Sequence, residues 1–240
     1  AITPFAPALS RRSGVNARSG PTFSVPARHN PRLQTLVERI DGDEELRELW
    51  RCANVNAAER FGLGNHGETH ARIVANAGLR LLRLLLEAGL RPGLADDHGL
   101  SRSDAEVLVV LAAALHDLGL SVDPERPGPA GLSLVHVKAL QFLEGLYPLR
   151  DRTILLTETL GAVTAHHNRR SQRSVEASVL TIADALDLSK GRIGAQEGPG
   201  GDVNAVHIHR GSQRPIRVEI RLTPKGELGR ITRRLIDRLA

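Results

Sequence analysis

The stretch LAAALHDLGLS, residues Leu111 to Ser121, decides the fold: an aliphatic run ends on a His-Asp pair and a glycine. It reads as the end of a buried helix that opens in SRSDAEVLVV, with Ser103 three residues before Glu106 as a capping box and Gly119 as the close. Placing His116 and Asp117 in such surroundings costs several kcal/mol unless a hydrogen-bond network or a metal compensates them.

Further helices read outward from this one. On the N-terminal side, HARIVANAGLRLLRLLLEAGL is a long apolar helix stopped by Gly89 and Pro92. Before it, LQTLVERI and DEELRELWRCANVNAAERFG carry helical periodicity, with Asp41 or Asp43 available as an N-cap. On the C-terminal side, Ser133 begins LVHVKALQFLEGL, Asp151 starts RTILLTETLGAVTAHHN, and SVEASVLTIADALDLSKGR supplies one more helix. The pattern then changes: NAVHIHR and PIRVEIRLT alternate apolar with polar residues, are joined by GSQR, and precede the Arg-rich helix ELGRITRRLIDRLA. The expected fold is mainly α, a helical bundle with a small C-terminal β-hairpin plus helix. Residues 1–30, rich in Pro, Ser, Arg and Gly, read as a flexible basic tail, 31–197 as the helical domain, and 198–240 as a small α+β appendage packed on it.

The formal charge of +5 is unevenly spread. Residues 1–37 hold five arginines and no acid, residues 38–209 hold 18 basic and 24 acidic groups, and residues 210–240 hold nine and three. Basic ends of this kind either touch an anionic partner or are simply solvated. Cys52 is the one cysteine, which leaves neither a disulfide framework nor a thiolate zinc cluster and fits a reducing interior. Any metal must therefore use His and carboxylate ligands. No apolar run approaches the roughly 20 residues that span a bilayer, so a soluble, cytoplasmic protein without a membrane partner is expected.

Candidate ligands gather in the acidic middle: His66 and His70, His116 and Asp117, His136, His166 and His167, and Asp184 inside LTIADALDL. His66 and His70 stand four apart, a spacing that puts both on one helix face. Asp184 has Ile182, Ala183, Ala185 and Leu186 around it, so its charge faces inward and needs compensation. Taken singly, an inward His is commonly a hydrogen-bonded core residue, and a buried Asp a cap or an ion-pair partner.

The ordered set NHGETHARIV, AAALHDLG, AHHN and ADALD, each on a predicted helix, resembles the HD superfamily of metal-dependent phosphohydrolases, with its pattern H…HD…D, over roughly residues 60–195. The resemblance implies a helical bundle in which His70, four before Val74, with His116, Asp117 and Asp184, surrounds one divalent ion. In family members with two or more metals, cyclic-dinucleotide phosphodiesterases among them, further ligands stand where His66, His136, His166 and His167 stand here. It thus implies a binuclear site bridged by Asp117.

The chain also departs from the family. Leu120 replaces the lysine that often follows the doublet, and no Gly-Tyr-Pro follows AHHN, which argues against a cyclic-dinucleotide substrate. The layout as a whole also resembles prokaryotic HD proteins of unassigned substrate.

A donor set of nitrogen and oxygen suits one or two ions of Fe, Mn, Ni, Co or Zn without selecting among them. The expected activity is hydrolysis of a phosphoester, in a nucleotide or related small phosphate, by water that the metal activates, with His116 and Asp117 as the catalytic pair. Lys190 and Arg192 in LSKGR could bind the substrate phosphate, as could Arg169 and Arg170, although cations near helix ends commonly just complement the dipole. The rival reading is a regulatory module that binds a nucleotide or nucleic acid without turnover. Nucleic acid is disfavoured because aromatic residues make up 2% of the chain and stacking platforms are scarce. The alternating strands could instead complete a homodimer or cover the site.

Overall fold

Helix α5, Arg102–Leu115, is the axis of the molecule: every residue from Val107 to Leu115 is buried, as expected of a helix apolar on all sides. In this computed structural model the chain is described over residues 22–168, 174–189, 203–224 and 226–239. Helices α1 (Pro31–Gly42), α3 (Glu68–Glu87), α7 (Leu149–Asn168) and α8 (Val175–Ala185) pack around α5. Helix α2 (Glu44–Asn54) continues into a π-helical turn, Val55–Arg60, and α4 (Gly93–His98) bridges α3 to α5. Helix α6 (Pro127–Leu143) packs against α7 and against a 3-10 turn, Leu118–Ser121, that follows the His-Asp doublet. Strands β1 (Val203–Arg210) and β2 (Ile216–Leu222) form an antiparallel hairpin with Ile208 opposite Val218, and α9 (Leu228–Leu239) completes the described chain. The mainly α fold with a C-terminal hairpin and helix is therefore what the structure contains. The hairpin lies on α3 and α9 on α8, with Val206, Ile208, Ile216 and Leu235 packed against the main core.

Local chemistry moves several boundaries. The capping box of α5 is built by Ser101 and Asp104, not by Ser103 and Glu106. Glu106 is instead engaged by Arg83 and Asn30, which removes it from the capping role. Helix α5 ends at Leu115, short of Gly119, whose part is close approach: a Cβ there would overlap the Pro127 carbonyl, and one on Gly131 would stand 2.7 Å from the Gly119 nitrogen. That backbone contact carries α6 back to Pro127, six residues before Ser133, with proline preset for the first helical turn. Asp43, not Asp41, caps α2, and its carboxylate also receives the buried Lys138 ammonium of α6. Gly89, at φ +92°, ends α3 as expected. The flexible tail expected over residues 1–30 does not extend to residues 22–30. There Phe23 is buried and stacked on Trp50 at 5.6 Å, Ala27 is buried, and Asn30 caps α1.

Candidate metal centre

The C-terminal end of α5 carries the doublet, and its last carbonyls are met by side chains. His116 Nδ1 donates to the Ala113 oxygen at 2.9 Å, the Trp50 indole N–H to Ala114 at 2.9 Å, and His167 Nε2 to the oxygen of His116 at 2.6 Å. The backbone under the doublet is thereby fixed. A helix C-terminus is also where a cation is favoured.

Three other elements converge on this end. His70 comes from the first turn of α3, Asp184 from the last turn of α8, and His166 from the last turn of α7. His70 Nε2 lies 3.2 Å from His116 Nε2, 3.2 Å from Asp184 Oδ1 and 3.3 Å from Asp117 Oδ2. His116 Nε2 lies 3.2 Å from Asp117 Oδ2 and 4.0 Å from Asp184 Oδ1, and His166 Nε2 is 4.0 Å from Asp184 Oδ2. His70, His116 and Asp184 form one compact donor group and His116, Asp117 and His166 a second, sharing His116. Ligands about 2 Å from one ion lie roughly 3 Å from each other, which is the spacing found around His70 Nε2.

Electrostatics makes the arrangement costly for the protein alone. A carbonyl can only accept, so His116 carries its proton on Nδ1, and a neutral ring turns the Nε2 lone pair toward His70. His70 Nδ1 donates at 2.7 Å to Asp187, so its Nε2 is likewise the inward atom. Asp117 Oδ2 and His166 Nδ1 are buried with no hydrogen-bond partner among the described residues. Burial raises the Asp117 carboxyl, and protonation of the His116, His66 and His70 imidazoles would lower it well below the usual carboxylate range. His166 is pushed down to about 3 by burial, with His116 and His167 adding to the effect against Asp184. It therefore stays neutral at ordinary pH, the form that ligates metals. Electron pairs facing one another at these distances call for a cation between them.

The remaining candidates divide. His66 does not share the helix of His70. Asn54 Oδ1 accepts its backbone N–H, and Asn65 Oδ1 accepts that of Gly67, so α3 starts only at Glu68. Its ring still lies 5.6 Å from that of His70, with Nδ1 2.8 Å from the Gly64 oxygen. His167 packs edge-on beside His166, 5.0 Å between ring centroids, but spends Nε2 on the backbone of His116. His136 is exposed on α6 and belongs to neither donor group. Lys190, Arg192, Arg169 and Arg170 lie outside the described residues. His98 pairs with Glu158 at 3.3 Å, and His207 and His209 stack on the hairpin. Sequence reasoning missed Asp187, although ADALD sets it three residues after Asp184, near enough in the chain to share its surroundings.

Residues 65–189, more than half of the chain, match the family model of the HD domain, and the chain belongs to that family. It is 29% identical over 199 residues to the uncharacterized protein MJ1020 of Methanocaldococcus jannaschii, covering 78% of this chain and 76% of that protein. It is 28% identical over 188 residues to Ribonuclease Y of Syntrophomonas wolfei subsp. wolfei, covering 75% of this chain but 33% of that longer protein. No solved structure matches the chain significantly. Among the described residues no helix is long and apolar enough to cross a membrane.

Proposed function

We propose that this HD-family chain is a metal-dependent phosphohydrolase that cleaves a phosphoester, with His70, His116, Asp117 and Asp184 holding a divalent transition-metal ion. The observation that carries this reading is the meeting of two Nε2 atoms and two carboxylates within 3.2–4.0 Å, Asp117 Oδ2 being partnerless, at the buried end of an apolar helix. When bound, such an ion brings the pKa of water toward neutrality and neutralises charge developing on phosphate oxygens. The chain supplies the orientation: Ala113 and Asp187 hold the Nδ1 protons of the two histidines, and His167 ties the doublet to α7. His166, neutral and with Nδ1 partnerless among the described residues, would join Asp117 in holding any second ion, and His66, whose ring lies 5.6 Å from that of His70, is a further candidate.

A second reading of the substrate is an RNA phosphodiester. The likeness to a protein named Ribonuclease Y favours it, as do the exposed arginines Arg210, Arg214, Arg217 and Arg221 on the hairpin and Arg230 and Arg233 on α9.

The test is a panel of nucleotides, small phosphomonoesters and short RNA, incubated with protein loaded in turn with Mn, Fe, Co, Ni or Zn. Metal-dependent release of phosphate or of cleaved RNA is expected, abolished by chelator and by His116→Ala. Stoichiometric metal binding with no turnover of any substrate would point to the regulatory module instead.

A further inference from the structure

Asp187 lies beyond the end of α8, where the chain turns by the bond from its own N–H to the Asp184 oxygen at 3.1 Å. Its side chain is 1% exposed, a setting that a carboxylate occupies only when its oxygens are engaged. Both are. Oδ1 accepts the backbone N–H of Ser189 at 3.1 Å, closing an Asx turn that fixes the carboxylate plane, and Oδ2 accepts from His70 Nδ1 at 2.7 Å. His116 reaches the same end differently, through the Ala113 carbonyl of its own helix. His70 sits in the first turn of α3 at positions where helix N–H groups, not carbonyls, lack partners, so an acceptor must come from elsewhere. Asp187 reaches it across 117 residues of sequence.

We infer that Asp187 is a positioning residue of the centre: its carboxylate fixes the His70 tautomer and ring orientation that turn Nε2 toward a bound cation. The inference rests on the metal reading above. A carboxylate on the far nitrogen also makes the ligating nitrogen more basic, and losing such a partner typically costs about 10–100-fold in metal affinity. Asp187→Asn removes this without changing size. If its amide faces His70, the ring must adopt the opposite tautomer. If its oxygen does, the amide opposes the Ser189 N–H.

The experiment has two independent readouts on the full chain. In metal-free protein, nitrogen-15 chemical shifts of the His70 ring should show a protonated Nδ1 and an unprotonated Nε2. Protonation at Nε2 in the wild type overturns the inference without any variant. In titrations with Co2+ followed by visible absorption, Asp187→Asn and Asp187→Leu should bind about 10–100-fold more weakly than wild type, with circular dichroism confirming the fold. Equal affinity in folded variants overturns the inference while leaving the phosphohydrolase reading intact. Failure of wild type to bind Co2+ defeats that reading and with it any role of Asp187 toward a metal, though the ring shifts still settle the tautomer.

Discussion

Helix α5 has a polar cluster at each end, and the two differ in kind. At its start Asp104, 3% exposed, is satisfied by the protein: Ser101 donates N–H and hydroxyl at 2.9 and 2.7 Å, Tyr147 its hydroxyl at 2.8 Å and Arg32 a guanidinium N–H at 3.0 Å. At its end His116 and Asp117 meet His70 and Asp184 with electron pairs facing one another, and Asp117 Oδ2 is left without a donor. A cluster whose donors and acceptors balance is architecture. One in which an acceptor such as Asp117 Oδ2 has no donor among the described residues is instead a candidate site for a cation.

Removing the doublet should break the comparison most sharply. His116→Ala and Asp117→Ala are expected to bring phosphoester hydrolysis to background. They should also erase the thermal stabilisation given by metal, about 2.7 kcal/mol when metal is 100-fold above its Kd. With chelator present, at a pH where the neighbouring imidazoles are neutral, Asp117→Asn should melt no lower than wild type, because it removes a buried charge whose Oδ2 has no hydrogen-bond donor among the described residues. Calorimetric melts with and without Mn2+ check both statements, and activity retained in either alanine variant would refute the assignment.

Asp104→Ala should behave oppositely. It strands the Ser101 N–H and the Tyr147 hydroxyl and removes half of a capping box, for a loss of roughly 2–4 kcal/mol that does not depend on metal. Urea unfolding, with and without Mn2+, measures it. A smaller effect follows from pH. Burial favours the neutral acid, but the bonds from Ser101, Tyr147 and Arg32 prevail, and the Asp104 pKa is lowered. Its contribution is therefore complete above the unfolded carboxyl pKa, about 3.9, and is lost as pH falls through the lower folded value. Urea midpoints of metal-free protein between pH 6 and pH 2 should decline less in Asp104→Asn than in wild type. At the bottom of the scale stands His136→Ala, expected to leave both the melting temperature and the metal content per chain unchanged, since its side chain is exposed. Loss of one metal equivalent by mass spectrometry would restore His136 to the ligand set.

What could be read in the sequence was local. The apolar run into His116, the amphipathic and apolar helices around it and the alternating hairpin follow from periodicity within one element, and the structure contains them. The H…HD…D order was legible as a resemblance to the HD superfamily, carried by NHGETHARIV, AAALHDLG, AHHN and ADALD. What escaped reading depends on partners distant in the chain. Glu106 is diverted from capping by Arg83 and Asn30, Gly119 answers to Pro127, and His66 is held off its expected helix by Asn54 and Asn65. Asp187 meets His70 across 117 residues, and Phe23 is held by Trp50, which stacks on its ring, and by Asp41, which accepts its N–H. Spacing rules see neighbours three or four residues away and cannot see these.

Trp50, the single tryptophan of the chain, binds the Ala114 carbonyl through its indole N–H, two residues before the doublet, and has Phe23 against its ring. The indole thus sits against the end of the helix that carries the doublet. Filling the candidate centre with Co2+ or Ni2+, whose open d shells quench nearby excited states, should dim the indole emission, whereas Zn2+ should leave its intensity nearly intact. Trimming the segment that bears Phe23 should instead shift the emission to longer wavelength. One spectrum separates arrival of a metal from loosening of the N-terminal flank.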